Sequence, residues 1–191
     1  MRYTRRMAKP TTPHDPLTVE EYLQLEELAT VRHEYVAGEI HAMTGATRRH
    51  NRIAGNVYAA LLGAARGGKC RVYVETVKLR VAADTVYYPD VMVACGSEPE
   101  DPYVESEPCL VIEVVSSSTE TTDRREKLAA YKRMPGLDAY LIISQNRRWV
   151  EHHFRAEGGT WRRADLVDEG RFSVPCPETE LALEDIYEGL E

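Results

Sequence analysis

The hydrophobic pattern of the chain changes between strand-like runs and helical stripes. Short apolar runs occupy residues 91–94, 110–115 and 139–144, and their length and composition predict strands that are buried on both faces. Residues 70–81 and 148–154 instead alternate apolar with polar positions. This alternation predicts two half-exposed strands, the second of them at the edge of a sheet.

Three segments carry the signals of helices. Thr18 followed by Glu21 fits a capping box and predicts a helix that ends near Leu28. Residues 51–66 and 123–134 place apolar side chains at helical spacing, and each segment ends at a glycine or a proline. In the second helix the predicted buried stripe consists of Ile53, Val57, Ala60, Leu61 and Ala64.

The remaining segments complete a single domain. Residues 33–43 predict a hairpin around Ala37 and Gly38, and residues 172–191 predict a strand followed by a short acidic helix. Residues 1–16 contain three prolines and few apolar residues, which predicts a flexible N-terminal arm before one domain over 17–191. The order of elements predicts an α/β fold, with a mixed α+β sheet flanked by helices.

Composition limits the class of protein. The chain has 191 residues, of which 43% are apolar, enough for the core of one soluble domain. The longest stretch without a strongly polar residue is 57–65, far short of the roughly 20 residues that span a bilayer. Four cysteines show no metal-binding spacing, so we expect free thiols in a cytoplasmic protein and no membrane partner.

The net charge of −7 is unevenly distributed along the chain. Residues 97–120 hold seven acids and no base, residues 178–191 hold six acids and no base, and residues 1–9 hold four bases. The rest of the chain therefore carries a net charge of +2, with arginines clustered near residues 48–52 and 124–125. Such clusters are either solvated helix faces or contacts for DNA phosphates.

Two acidic residues interrupt or flank the buried strands. Glu113 lies inside the apolar run 110–115, where an unpaired carboxylate costs several kcal/mol and requires a charge partner, a metal ion or a raised pKa. Asp90 directly precedes the run 91–94. The two carboxylates are therefore expected to project from neighbouring strands.

This pair suits magnesium chemistry. Mg²⁺ prefers oxygen ligands in octahedral geometry, and Asp90, Glu113 and the Val114 carbonyl would supply three of them, with Mn²⁺ as a substitute. Lys127, in the next predicted helix, would orient a water molecule or offset phosphate charge. Two other interpretations stay open, a purely structural role for the two acids and a glycosidase pair of carboxylates.

Several stretches resemble the signature of the Uma-two (Uma2) family, restriction endonuclease-like proteins of the PD-(D/E)XK nuclease superfamily. They are Tyr88-Pro89-Asp90-Val91, Ile112-Glu113-Val114-Val115-Ser116, the run 123–131 and Gly136-Leu137-Asp138-Ala139-Tyr140. The similarity extends upstream to residues 34–39 and His50, and covers about 17–191.

The resemblance implies a restriction endonuclease-like core and roles for individual residues. Asp90 and Glu113 match the two motif acids, and Lys127 matches a lysine displaced onto the helix, because Val115 stands where the general motif has lysine. Glu39, or else Glu34, would supply an additional N-terminal acid.

Two functions follow as expectations from the motifs and the charge distribution. The first is a magnesium-dependent DNA endonuclease, expected to act as a homodimer because each chain has one site. The second is an inactive nuclease-fold module that binds DNA or a protein partner, which Val115 and the acidic balance favour. Beyond the central motif, His50 would line the site, and Glu75 lies on the surface or turns toward the other acids.

Overall fold

The computed structural model describes residues 16–116 and 123–190, with the side chains of residues 123 and 124 omitted. Within these ranges the helices are α1 (Val19–Leu28), α2 (Arg48–Ala65), α3 (Leu128–Tyr131) and α4 (Leu183–Ile186). A π-helical turn, Asp123–Lys127, leads into α3, and a 3₁₀ turn spans Glu157–Gly159. The predicted arm over residues 1–16 lies almost wholly outside the described residues and stays a prediction.

The described strands form three sheets. They are β1 (His33–Val36), β2 (Glu39–Ala42), β3 (Arg71–Val74), β4 (Lys78–Ala82), β5 (Thr85–Tyr87), β6 (Val91–Ala94), β7 (Val104–Glu105), β8 (Leu110–Val115), β9 (Ala139–Ser144), β10 (Trp149–Arg155), β11 (Trp161–Val167), β12 (Arg171–Pro175) and β13 (Glu178–Ala182). The central sheet has the order β11-β10-β9-β8-β6-β3, a second sheet has the order β2-β1-β5-β4-β7, and β12 pairs with β13. These mixed sheets with flanking helices confirm the predicted fold class.

Strand β8 is the middle of the molecule. All six of its residues are buried, and it pairs antiparallel with β6 and parallel with β9. One face of the central sheet packs against α2 and the C-terminal hairpin β12–β13, and the other face packs against Tyr131, Met134 and Leu137 around α3. The prediction of buried strands over 91–94, 110–115 and 139–144 is therefore confirmed.

The N-terminal elements follow the predicted caps and turn. Helix α1 begins after Thr18, whose side chain accepts from the Glu21 amide at 3.2 Å while the Glu21 carboxylate accepts from the Thr18 amide at 2.8 Å. Hairpin β1–β2 turns at Ala37 and Gly38, which have φ values of 49° and 93°. Two consecutive left-handed residues are what a two-residue type I′ turn requires.

Helix α2 is longer than its predicted range of 51–66. It begins at Arg48 because Thr47 caps it, with the Thr47 hydroxyl accepting from the His50 amide at 3.1 Å. The buried stripe also differs from the prediction, since Ala60 and Ala64 are exposed. The helix buries instead Ile53, Ala54, Val57, Leu61 and Ala65.

Two strand predictions are wrong in extent or place. Residues 70–81 form two strands in different sheets, since Glu75 has a φ of 55° and breaks the extended chain between β3 and β4. Strand β10 lies inside the sheet, because β11 covers its outer edge. The alternation over 148–154 reflects a buried cluster in which the Glu151 carboxylate contacts His153 at 2.6 Å and Arg163 at 3.2 Å.

The expectation of free thiols is also wrong. Cys70 pairs with Cys95, and Cys109 pairs with Cys176. Sequence spacing did not indicate these pairs, because the four residues come together only when β3, β6, β8 and the β12–β13 turn meet at one end of the fold. No described helix combines the length and the apolar character needed to cross a membrane.

Candidate active site

The two predicted acids lie side by side on neighbouring strands. Asp90 immediately precedes β6, and the β6–β8 register, in which Val91 pairs with Ile112, places it opposite Glu113. The Asp90 carboxylate accepts a hydrogen bond from the Val114 amide at 2.6 Å. Because that bond ties the side chain to the next strand, Asp90 has a fixed orientation toward Glu113.

Glu113 is 4% exposed, and a lysine and a tyrosine donate to its carboxylate. Its Oε1 accepts from the Tyr131 hydroxyl at 2.8 Å and from Lys127 Nζ at 3.2 Å. Burial, and then the charge of Glu113, raises the pKa of Tyr131 well above its ordinary value, so this hydroxyl stays a neutral donor. The partner that the sequence required for Glu113 is therefore a lysine with a tyrosine.

Lys127 occupies the centre of the cluster. Its Nζ donates to Glu34 at 2.8 Å as well as to Glu113, and it lies 5.1 Å from the centre of the Tyr87 ring. Only 7% of the residue is exposed. A lysine at this depth requires acidic partners, since a buried ammonium without them would lose its proton.

Glu34 brings the second sheet to the site. It lies on β1, next to the hairpin turn, and its carboxylate is partly buried. Glu39 lies on β2 opposite Val36, and its side chain is exposed, with no hydrogen bond to any other described residue. The structure thus brings Asp90, Glu113 and Lys127 together with Glu34, and leaves Glu39 outside this cluster.

His50 closes the other side of Asp90. Its Nε2 lies 3.0 Å from Asp90 Oδ1, and the backbone of Val114, the residue whose carbonyl the sequence predicts as a metal ligand, also acts to raise the pKa of the ring. Burial lowers the pKa of His50, but the bond to Asp90 and the charges of Asp90 and Glu75 outweigh burial and raise it overall. Glu75 is also held by Asn51, whose amide donates to it at 3.4 Å, so it faces this cluster.

Tyr131 is a site residue that the sequence did not reveal, although it lies within the predicted helix 123–134. It lies four residues after Lys127, a spacing that places both side chains on one helical face. That spacing, together with a buried acid on the preceding strand, was the signal available in the sequence.

A cleft lined by several arginines lies at the start of α2, the helix that also carries His50. A cavity of about 480 Å³ is lined by the first turns of α2 and by the C-terminal segment, through Thr47, Arg48, Arg49, Arg52, Gly189 and Leu190. Two bonds join this end of α2 to the end of β9: the Thr47 hydroxyl donates to the Gln145 side chain at 2.6 Å, and Arg49 donates to the Gln145 carbonyl. His50 belongs to the same helical turn as these arginines, but it is not among the residues that line the cavity.

Known proteins are similar to this chain in sequence or in fold. The profile of the Uma2 family, described as "Putative restriction endonuclease", matches residues 19–185. The uncharacterized protein slr1290 of Synechocystis sp. is 32% identical over 185 residues, covering 95% of this chain and 96% of that protein. A second uncharacterized Synechocystis protein, sll1609, is 34% identical over 158 residues, covering 80% of this chain and 89% of that protein.

A solved structure has the same fold. A protein from Anabaena variabilis, described as a putative nuclease belonging to DUF820, superposes with a TM-score of 0.70 at 19% sequence identity. The superposition covers 90% of this chain and 97% of that one. The architecture around the acidic cluster is therefore a restriction endonuclease-like fold.

Proposed function

The chain belongs to the Uma2 family, and from this membership and the site geometry we propose that it is a metal-dependent endonuclease that hydrolyses phosphodiester bonds in DNA. One observation carries the proposal. The side chains of Asp90, Glu113 and Lys127, which are distant in sequence, meet in a single partly buried cluster together with Glu34.

The donor set of the cluster suits a hard divalent cation. Three carboxylates face one lysine ammonium and one imidazole, so negative charge remains even when the imidazole is protonated. Asp90, Glu113 and the Val114 carbonyl would hold Mg²⁺, or Mn²⁺ in its place, because all three offer oxygen ligands. When bound, such an ion lowers the pKa of its water and offsets charge on a phosphate.

The protein's own residues position the reactants. The ammonium of Lys127 is held between Glu34 and Glu113. From this position it would orient the attacking water and stabilise charge on the phosphate. His50 orients the Asp90 carboxylate. Arg48 and Arg52 are exposed in the cleft and would bind neighbouring phosphates of the DNA backbone.

Val115 does not weigh against this assignment. Val115 is buried in β8, within the apolar cluster that contains Tyr131. This cluster lies on the face of the central sheet that is opposite the face packed against α2. Lys127 Nζ contacts Glu113 directly, so the ammonium that the general motif places two residues after the acid comes here from the helix. This contact favours a catalytic site over an inactive module.

The test is plasmid cleavage at low salt, with magnesium or manganese binding measured by calorimetry on the same samples. We expect Asp90→Asn, Glu113→Gln and Lys127→Met each to lower the cleavage rate by about 100-fold or more. Asp90→Asn and Glu113→Gln should also weaken metal binding. Glu107→Gln and Lys69→Met serve as matched controls, because both residues are exposed and lie far from the cluster along the sheet.

The outcome of this test decides between the endonuclease and the inactive module. A wild-type protein that is folded, takes up no divalent metal and leaves plasmid intact overturns the nuclease proposal, and DNA binding without cleavage would then identify the inactive module. Cleavage that persists in all three variants would place the chemistry elsewhere on the chain.

We also propose that the nuclease acts as a homodimer, because each chain supplies one site and a symmetric pair would cut both strands. Sedimentation with and without DNA measures the assembly. Linear product that appears without prior accumulation of nicked circles supports the dimer, whereas a monomer that only nicks excludes it.

A further inference from the structure

Four cysteines converge at one point of the fold, although they are far apart in sequence. Cys70 precedes β3, Cys95 follows β6, Cys109 precedes β8, and Cys176 lies in the turn between β12 and β13. The β3–β6 register places Cys70 opposite Cys95, and the Cys109 amide donates to the Val93 carbonyl at 2.8 Å. Three sheet strands and the C-terminal hairpin therefore each contribute one sulfur.

The two disulfides are in contact with each other through their sulfurs. Cys95 Sγ lies 3.4 Å from Cys109 Sγ, which belongs to the other disulfide. The sulfurs of Cys95, Cys109 and Cys176 all lie within 4.8 Å of one another, and Cys70 is bonded to Cys95. Two disulfides that only cross-linked separate loops would not need to be in contact with each other.

The spacing between the two disulfides matches that of a metal tetrathiolate. In a tetrahedral zinc site with four cysteine ligands, Zn–S bonds of about 2.3 Å place neighbouring sulfurs about 3.8 Å apart. The observed contact of 3.4 Å and the 4.8 Å limit bracket that separation. Small rotations of the side chains would therefore bring the sulfurs of Cys95, Cys109 and Cys176 to ligand positions around one ion. Cys70, which is bonded to Cys95 but lies outside that group of three, would turn in as the fourth.

This cluster is separate from the proposed catalytic site. Cys95 follows Asp90 by five residues along an extended strand, which corresponds to about 16 Å. The sulfurs lie at the opposite end of β6 and β8 from the carboxylates, so a cation bound by one set does not share ligands with the other. Soft thiolates and hard carboxylates also select different ions.

We propose that the four cysteines, when reduced, form a structural zinc site that fastens the C-terminal hairpin to the central sheet. Two dithiol molecules reduce the two disulfides, each transferring two electrons and two protons and becoming a cyclic disulfide. The four resulting thiols then release four protons as they bind one Zn²⁺. The site has four protein ligands and no open position, which is the arrangement of structural rather than catalytic zinc.

The position of Cys176 explains what the ion would do. The β12–β13 hairpin covers one face of the central core through Phe172, Val174 and Leu181, and Cys176 is its only cysteine. Linking that turn to Cys109 and Cys95 holds the hairpin against β6 and β8. In a reducing compartment, where disulfides do not persist, the ion would provide the same link.

The experiment measures zinc in the full chain purified under a phosphine reductant. We expect one Zn²⁺ per chain by elemental analysis, and replacement by Co²⁺ should give the intense visible absorption of a tetrahedral thiolate complex. Alkylation followed by mass spectrometry should modify four cysteines in the metal-free protein and none in the zinc form. This measurement uses the wild type, so it holds even if a cysteine variant fails to fold.

Variants locate the ion. Cys176→Ser and Cys70→Ser should each abolish the thiolate absorption of bound Co²⁺, whereas Glu113→Gln should retain it. Reduced protein that binds no zinc at sulfur, or that loses its zinc in Glu113→Gln and keeps it in both cysteine variants, overturns the proposal. Neither outcome depends on nuclease activity, so the zinc site and the endonuclease can fail independently.

Discussion

Lys127 connects two acids that come from different sheets. It contacts Glu113 on β8 and Glu34 on β1, so one ammonium holds the two sheets together at this point. Glu34 is therefore part of the site through a direct contact, whereas Glu39, further round the same hairpin, is exposed. The two glutamates form a natural pair for comparison.

We expect Glu34→Gln to lower the cleavage rate by about 10- to 100-fold, the usual effect of losing a group that orients a metal ligand or its partner. Glu39→Gln should change the rate by less than about twofold, because its carboxylate makes no contact with the cluster. Initial rates of plasmid nicking measure both. Equal losses in the two variants would return the additional acid to Glu39.

Because His152 is buried, we expect the protein to lose stability in acid. Burial, and then the charge of His153, lowers the pKa of His152 to about 4, and its Nε2 has no hydrogen-bond partner among the described residues. An unfolded chain protonates this ring near pH 6.5, so stability is lost as the pH falls from about 6.5 toward 4. From this residue we expect a loss of about 2 kcal/mol between pH 7.5 and 5.

The variant His152→Phe should remove that loss. The ring of His152 already lies 4.9 Å from the Phe154 ring and 5.0 Å from the Phe172 ring, so an aromatic replacement suits the site. Urea unfolding at several pH values gives the measurement. His41→Gln, a change at an exposed histidine, is the control, and an unchanged slope in His152→Phe would refute the assignment.

The β1–β2 hairpin delivers Glu34, and its shape depends on one glycine. Gly38 has a φ of 93°, and a Cβ at this position would lie 2.5 Å from the Cβ of Pro16. Gly67 has a φ of 75° but open space around it. Gly38→Ala should therefore cost about 2 to 3 kcal/mol of unfolding free energy, against about 1 kcal/mol for Gly67→Ala.

Denaturant midpoints of the two glycine variants check this difference, and cleavage rates show whether Glu34 moves with the hairpin. Similar midpoints would mean that Pro16 moves away from the added Cβ at position 38 without a loss of unfolding free energy.

The first turns of α2 are expected to bind DNA phosphates. Arg48→Ala combined with Arg52→Ala should weaken DNA binding and reduce the slope of log affinity against log salt by about two, one for each phosphate that the variant no longer neutralises. Arg66→Ala, at the opposite end of the same helix, should leave the slope unchanged. Fluorescence anisotropy over a range of salt concentrations measures the slope, and equal effects at the two ends would exclude this contact surface.

Individual elements were predictable where local chemistry decides them. The capping box fixed the start of α1, and the apolar runs fixed β6, β8 and β9. The division of residues 70–81 was not predictable, because Glu75 adopts a left-handed conformation while its backbone N–H bonds the Asp90 carbonyl at 3.0 Å. Long-range contacts of this kind override local propensity.

The candidate site was also predictable only where local sequence decides it. Asp90 and Glu113 were identifiable because a charge in a buried strand demands a partner, and the family match confirms the resemblance of the motifs around them. The choice between Glu34 and Glu39 depended on how the second sheet packs against the first. Pattern and spacing on one hairpin do not contain that information.

At the scale of the whole molecule, the two proposed metal sites lie at different ends of one sheet. The carboxylates of Asp90 and Glu113 lie at one end of β6 and β8, and the sulfurs of the two disulfides lie at the other. The acidic segments at 97–120 and 178–191 give the chain its negative charge, while the α2 arginines line a cleft at the start of that helix. DNA is therefore expected to approach the molecule at the start of α2.

The bond between α2 and the C-terminal segment bears on synthesis at the ribosome. Asn56 donates to the carbonyls of Ile186 and Glu188, both at 3.1 Å, and Ile186 packs on the core that contains Ile53. The ribosome makes about 5 to 20 residues per second, so α2 emerges on the order of ten seconds before the residues that cover it. During that interval the apolar stripe of α2 lacks this part of its cover, and this core is completed only once the segment around Ile186 has left the ribosome.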